Sequence, residues 1–328
     1  MDAENRFSYI PESVAMTVTD RASWPESMYR ELKPLLFSLA YRMLGSVMDA
    51  EDIVHESFLA LERAGAGRVE NARAYLCRTV TNRCLNLLQS SAKKRELYPG
   101  PWLPEPLVVR AGQAEPPDDP LQSYMRKESI GTAYMLLLQQ LSHVERAVFL
   151  LREALGLSYE EIAGIVGKSS VNCRQIYSRA KRSLGSRANA GDREEARDNP
   201  ERRAAAARLV EQFARALASA DVDGLLQALS EEAALTIDGG GKVAAPPRTV
   251  VGAKRIAVFM ATMPNALPPG TAYLPAEVNG WPGIVARTEE RTIAAASFDI
   301  EGGRIAAIYV VANPDKLRHA SLAQGGRP

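Results

Sequence analysis

Apolar positions recur at helical spacing through the first two thirds of the chain and at strand spacing in the last third. From Glu26 to Leu44, Met28, Leu32, Leu35, Leu36, Leu39 and Met43 repeat every three or four residues, which predicts an amphipathic helix containing Pro34 and ended by Gly45. Asp49 is expected to cap a second helix, with Asp52 at the capping-box position and Ile53, Phe58 and Leu61 facing inward. The exposed side of that helix reads acidic. After a Gly65-Ala66-Gly67 loop, Asn71 caps a third helix through Tyr75, Leu76, Val80, Cys84 and Leu87, which runs out in Lys93-Lys94-Arg95.

The stretch Leu157 to Leu184 carries the sharpest local signals. Ser158 with Glu161 three residues on is a capping box, Ile162, Ala163 and Val166 give a short helix its apolar stripe, and Gly167-Lys168 ends it. Ser169 or Ser170 caps a second helix whose inner side is Cys173, Ile176, Tyr177, Ala180 and Leu184. Its outer side is Arg174, Gln175, Ser178, Arg179, Lys181 and Arg182, with no acidic residue between Glu161 and Asp192. Two short helices around a glycine turn, the second basic and rich in groups that reach base edges, describe a helix-turn-helix with its recognition helix; the plainer alternative is a helical hairpin with a solvated basic face.

Between these helical units the composition shifts, with Pro99, Pro101, Pro104, Pro106, Pro116, Pro117 and Pro120 favouring an extended linker. Within it Trp102-Leu103-Pro104-Glu105-Pro106 is too apolar for a free linker, so it is expected to dock. A charged tether over 188–200 precedes a third domain that begins with an amphipathic helix, Arg203 to Leu217, and a short helix capped by Asp221. Strands are expected at Ala233 to Ile237, Tyr273 to Val278, Ile284 to Thr288, Thr292 to Ile300 and Arg304 to Val311, with Glu301-Gly302-Gly303 as a hairpin turn. The expected layout is therefore a mobile N-terminus over 1–24, helical units over 25–96 and 126–187, linkers over 97–125 and 188–200, and an α+β domain over 201–328.

Composition narrows the function classes. The 328 residues are 46% apolar and 24% charged, with a net charge of +1, so nucleic-acid binding would have to come from local basic patches. There is no run of about 18 apolar residues to span a membrane. The N-terminus lacks the apolar core of a secretory signal, so a cytoplasmic address without membrane contact is expected. Cys77, Cys84 and Cys173 fit neither a disulfide framework nor a zinc site, and buried reduced thiols are the expected state; no metal or cofactor is implied.

The motifs also carry a resemblance. YRMLGSVMDAEDIVHESFLALER followed by NARAYLCRTVTNRCLNLL resembles region 2 of the extracytoplasmic-function sigma factors of the sigma-70 family, and LSHVERAVFLLREALGLSYEEIAGIVGKSSVNCRQIYSRAKRSL resembles region 4. WLPEP in the linker, Asp238-Gly239-Gly240-Gly241-Lys242 and Asn313-Pro314-Asp315-Lys316-Leu317 resemble the subgroup with a C-terminal SnoaL-like domain. The resemblance implies two all-α sigma domains followed by an α+β cone with a curved antiparallel sheet. It implies that Asp49, Glu51, Asp52 and Glu56 face the β′ clamp helices of core RNA polymerase and that the protein also meets the β flap. Asn82, Arg83 and Asn86 would face the −10 element of promoter DNA, the loop from Arg68 to Asn71 would hold an extruded base, and the basic recognition helix would read the −35 element. The chain departs from many relatives at Leu61-Glu62, where they carry an aromatic residue.

The third domain is expected to regulate in cis, with Trp102 packing near the Asp238 to Lys242 turn or the Asn313 to Leu317 tail. Lys242, Asp315 and Lys316 would be polar partners of linker carbonyls or Glu105. No anti-sigma factor is required on this reading, and the cone remains a candidate to bind a small molecule. Relatives of the cone fold include enzymes with an acidic base, for which Asp238 is the candidate, but the domain's one histidine, His319, lies beyond the last strand and a tight turn is the simpler role for Asp238. The competing functions are a conventional helix-turn-helix regulator with a ligand domain and a cone-fold enzyme tethered to a helical module.

Overall fold

The computed structural model describes residues 26–65, 69–110, 131–185, 199–318 and 320. The expected N-terminus, Arg68, His319 and most of the charged tether lie outside the described residues.

Three helices open the fold: α1 (Glu26–Leu44), α2 (Val47–Ala64) and α3 (Ala72–Glu96). Gly45 ends α1 at a φ of 70° that favours glycine. Asn71 caps α3 as expected, its Oδ1 accepting from the Ala74 amide at 2.9 Å. The cap of α2 differs from expectation. Ser46 is the N-cap, its hydroxyl accepting from the Asp49 amide, and Asp49 sits in the first turn, where a carboxylate still favours the helix dipole. Ser46 and Asp49 are both competent caps, and the apolar Val47 buried in the first turn decides between them.

Four further helices follow the linker: α4 (Thr132–Gln139), α5 (His143–Glu153), α6 (Tyr159–Val166) and α7 (Ser170–Leu184). Ser158 and Glu161 form the capping box of α6, Gly167 closes it in the left-handed conformation, and Ser169 caps α7. These helices share one apolar core with α1 to α3, running from Leu36 and Met43 through Leu76 and Val80 to Leu138, Leu150, Ile162 and Ile176. A buried Arg146 stitches the two units together: its guanidinium donates to the carbonyls of Leu138 at 2.8 Å and Met43 at 2.6 Å. The three thiols are free and buried, and burial pushes the Cys77 thiol up to about 11, so it stays protonated at neutral pH.

The carboxy-terminal domain packs α8 (Pro200–Ala218), α9 (Val222–Ala228) and α10 (Ala253–Ala266) on a seven-stranded sheet. Its strands are β1 (Val108–Arg110), β2 (Leu229–Asp238), β3 (Val250–Val251), β4 (Ala272–Val278), β5 (Trp281–Arg287), β6 (Thr292–Glu301) and β7 (Arg304–Val311), in the order β1-β4-β5-β6-β7-β2-β3. The sheet is antiparallel with one exception, because β2 runs parallel to β7. A parallel neighbour needs a long crossover, and residues 239–303 supply it. Gly302 and Gly303 both take positive φ, which makes the β6–β7 connection the expected two-residue turn.

Strand β1 comes from the stretch expected to be only a linker. It adds to the edge of β4, with Val108 opposite Val278 and Arg110 opposite Ala276. Both faces of the sheet are therefore covered. Ile284, Phe298, Ile305 and Ile308 meet the domain's own helices, while Ala276, Val278, Val285 and Val311 meet Leu103 of the linker, with Leu136 of α4 packed against them.

Arg146 gives a direct check of the shared helical core. Arg146→Ala removes the buried side-chain donor that the Met43 and Leu138 carbonyls share and is expected to lower unfolding stability by about 3 kcal/mol. A urea midpoint lowered at unchanged slope is the expected result; an unchanged midpoint would mean that the guanidinium does not join the two units.

Candidate nucleic-acid interface and interdomain site

The recognition-helix positions Arg174, Gln175, Ser178, Arg179, Lys181 and Arg182 are all exposed, because Cys173, Ile176, Ala180 and Leu184 turn the opposite face of α7 into the core. Arg174, Ser178, Lys181 and Arg182 line a shallow depression with Tyr159 and Tyr177. The guanidinium groups of Arg174 and Arg152 lie 5.2 and 5.0 Å from the Tyr159 ring centre, an arrangement that restricts them before any ligand arrives. Lys181 is less available than its neighbours. Its ammonium is 3.2 Å from Glu153, which also accepts a hydrogen bond from the Tyr177 hydroxyl.

On α2 the side chains of Asp49, Glu51, Asp52 and Glu56 are exposed along one side. On α3, Asn86 is exposed while Asn82 and Arg83 are half-buried. Arg83 and Glu56, expected on different binding faces, form an ion pair with each other across α2 and α3. The two faces therefore meet at that pair. Of the loop expected to hold an extruded base, Arg68 lies outside the described residues and Asn71 is spent on the α3 cap.

The three motifs around the linker converge. Asp238, at the end of β2, is fully buried, and both its carboxylate oxygens are occupied. Oδ2 accepts from the Leu103 amide at 2.8 Å and the Lys316 ammonium at 2.7 Å; Oδ1 accepts from the Tyr98 hydroxyl at 2.5 Å and the Gly240 amide at 3.1 Å. Lys316 also donates to the Leu103 carbonyl at 2.6 Å and lies 3.9 Å from the Trp102 ring centre. Asn313 donates to the Tyr98 hydroxyl at 2.8 Å, and burial, then the bond to Asp238, pushes the Tyr98 phenol up, so it stays a donor. The close-packed turn explains its glycines: a Cβ on Gly240 would lie 2.2 Å from Asn313, and one on Gly241 2.6 Å from Pro99. Committed to these bonds, Asp238 is a structural anion and not a base facing an open cone.

Two expected partners differ. Lys242 pairs with Asp315 at 2.7 Å and not with the linker. Glu105 faces away from the cone: its Oε2 accepts from the Val47 amide at 2.6 Å and the Met48 amide at 3.3 Å, and its Oε1 from the Ser46 hydroxyl at 3.0 Å. The linker carboxylate thus satisfies free N–H groups at the start of α2, the helix that bears the acidic face. Leu103, Pro104, Glu105 and Pro106 are all buried. Among the described residues no cluster of three or more His, Cys, Asp or Glu could hold a metal, and no helix is long and apolar enough to cross a membrane.

The helical parts match family models for Sigma-70 region 2 over residues 28–94 and Sigma-70 region 4 over residues 132–184. The ECF RNA polymerase sigma factor SigJ of Mycobacterium tuberculosis is 29% identical over 91% of this chain and 95% of its own length. The crystal structure of SigJ superposes with a TM-score of 0.67 at 28% identity, covering 88% of this chain and 97% of that one. The chain therefore carries both Sigma-70 regions of a sigma factor, and over nine tenths of its length it resembles extracytoplasmic-function sigma factors. The probable ECF RNA polymerase sigma factor SigI of the same organism is 29% identical over 91% of the chain and 96% of its length. Sigma factors bind core RNA polymerase and promoter DNA and direct transcription initiation; they are not enzymes. The third domain of this sigma factor fits the SnoaL-like α+β cone expected from its motifs.

The residue that sequence reasoning missed is Asn279. It is buried and takes a φ of 53° at the β4–β5 turn, followed by Gly280 at 75°. Asn-Gly between two strands is a strong hairpin signal, and it was there to be found.

The buried Asp238–Lys316 pair is directly testable. Lys316→Met leaves Asp238 buried and uncompensated, at a cost of about 3 to 5 kcal/mol, so the linker is expected to undock rather than tolerate it. With Trp24 and Trp281 replaced, the Trp102 emission should shift to the red at temperatures where the helical CD signal is intact. An unshifted emission would show that the pair does not hold the linker.

Proposed function

We propose that this sigma factor recognises promoter −10 and −35 elements through region 2 and region 4 and is controlled in cis by its SnoaL-like domain. The −35 contacts fall to Arg174, Gln175, Ser178, Arg179 and Arg182, with Lys181 restrained by Glu153. Asn82 and Asn86 face the −10 element with Arg83, which must first leave Glu56, and Asp49, Glu51, Asp52 and the Glu56 so released dock on core polymerase. Working on core polymerase and promoter DNA, the protein would act in the cytoplasm.

The observation that carries the cis reading is the linker, held at one end by Asp238 and Lys316 of the cone and at the other by the start of α2. The two promoter elements lie about 25 base pairs, hence about 85 Å, apart along B-form DNA. Region 2 and region 4 share one core here, with Arg146 of region 4 bonded 2.6 Å from Met43 of region 2. This closed arrangement exposes the acidic side of α2 and the basic side of α7, and a shared core of this size would keep the two regions well short of that spacing. A domain tethered to both regions acts at high effective concentration, so a separate anti-sigma factor is not required.

Arg174→Ala and Gln175→Ala are each expected to weaken promoter binding by about 1 to 3 kcal/mol and to relax preference at one −35 base pair. Equal losses on specific and random duplexes would reassign them to phosphate contact. Trp102→Ala is expected to change run-off transcription by core polymerase at unchanged affinity for a duplex bearing the −35 element alone. Unchanged transcription would sink the cis reading.

A further inference from the structure

Asn279 belongs to the cone by its backbone, yet its side chain touches every other part of the molecule. Its backbone N–H donates to the Leu107 carbonyl at 2.8 Å and its side-chain Oδ1 accepts from the Leu107 backbone amide at 2.8 Å, closing a ring with the linker. The same Oδ1 lies 3.4 Å from the hydroxyl of Tyr41 in region 2. Its Nδ2 donates to the hydroxyl of Thr132 in region 4 at 2.7 Å, and that hydroxyl shares a 2.7 Å hydrogen bond with Ser297 of β6. The turn is braced from behind: Arg203 of α8 donates to the Gly280 carbonyl at 2.9 Å and pairs with Glu277 at 2.8 Å.

These bonds divide into two sets. The bond from Asn279 to Leu107 continues directly into the β1–β4 ladder, where Val108, Val109 and Arg110 pair with Val278, Glu277 and Ala276, so the linker is held by several cooperating bonds. The polar bonds of region 4 to Asn279 and Ser297 at this junction run through one hydroxyl, beside the apolar contact of Leu136. Thr132 is the first residue of α4, and the residue before it, Gly131, makes no side-chain cap. Residues 111–130 separate β1 from α4, and a chain of that length reaches about 65 Å when extended. Region 4 can therefore leave the cone while the linker stays in the sheet.

We infer that Asn279 is a positioning residue that latches region 4 to the cone through the Thr132 hydroxyl, with Ser297 completing the latch, and that this joint opens separately from the linker clip. The inference deepens the cis-control reading by naming the joint. When α4 departs, the amide of Asn279 and the hydroxyls of Thr132 and Ser297 gain water, so separation leaves no permanently unsatisfied group. Thr132→Val keeps the shape of the side chain and removes the acceptor, which leaves the Asn279 Nδ2 unpaired only in the closed form.

The test is amide hydrogen exchange on the full-length protein, which reads rare openings segment by segment. In Thr132→Val the amides of α4 are expected to exchange about tenfold faster, with the β1–β4 ladder amides unchanged. Thr132→Ser, which retains the hydroxyl, is expected to restore wild-type exchange, and Ser297→Ala to accelerate α4 from the cone side. Wild-type exchange of α4 in both Thr132→Val and Ser297→Ala would overturn the latch. So would acceleration of α4 and the ladder together, since the junction would then be one unit. Run-off transcription on the same variants keeps the two readings apart: a faster α4 with unchanged transcription preserves the latch and refutes cis control.

Discussion

The seat of Leu103 between the helical body and the cone depends on two opposite charges placed where water cannot reach them. Asp238 and Lys316 are both buried, and neither tolerates that position without its full set of partners. A pair of this kind adds little net stability over an apolar contact of the same shape. What it adds is register. The carboxylate accepts from the amide of Leu103 and the ammonium donates to the carbonyl of Leu103, so the pair fits one residue of the linker in one orientation. A shift that put Pro104 in the place of Leu103 would offer the carboxylate no amide hydrogen, because proline has none.

That fixed register sets what the next residues do. Two positions beyond Leu103, Glu105 meets the amides of Val47 and Met48, and Leu107 meets Asn279. The Tyr41 hydroxyl donates to the Glu105 carbonyl at 2.7 Å; burial, then the nearby Glu105 charge, pushes that phenol up, so it remains a donor. Even Gly45 belongs to this arrangement, because a Cβ there would stand 2.6 Å from the Trp102 ring. The linker is a short rigid part with a distinct contact for each neighbouring domain.

How much of this was legible follows from whether a signal is local. The helix-turn-helix was legible in outline, because Ser158, Glu161, Gly167 and Ser169 act on backbone groups within four positions of themselves, although Ser169 and Ser170 were equal candidates for the second cap and Ile165 was missing from the expected apolar stripe. The convergence of the WLPEP, DGGGK and NPDKL stretches was legible through family resemblance, and no local rule leads there. Where two local rules competed, as with Ser46 and Asp49 at the start of α2, burial of Val47 decided, and burial is a tertiary fact. Strand β1 was hidden in a proline-rich segment because an edge strand of three residues needs only a free neighbouring edge. The Arg83–Glu56 pair and the role of Asn279 depend on contacts over 27 and 172 residues of sequence, and nothing in the residues themselves names those partners.

The closed form poses an energetic question that its exposed faces answer. Region 2 and region 4 bury a common core, so separating them exposes apolar surface, and no tethered domain supplies free energy for that by itself. A partner shifts such an equilibrium only by its differential affinity for the two arrangements. The acidic face of α2 and the basic face of α7 stay exposed in the closed form, so on the proposed assignment polymerase and DNA would each make first contact before separation. Further contact requires the wider spacing, and that requirement is the differential affinity. On the proposed control in cis, the cone would act on the closed side of the balance: every bond it makes to both regions would raise the affinity difference that polymerase and promoter must supply together.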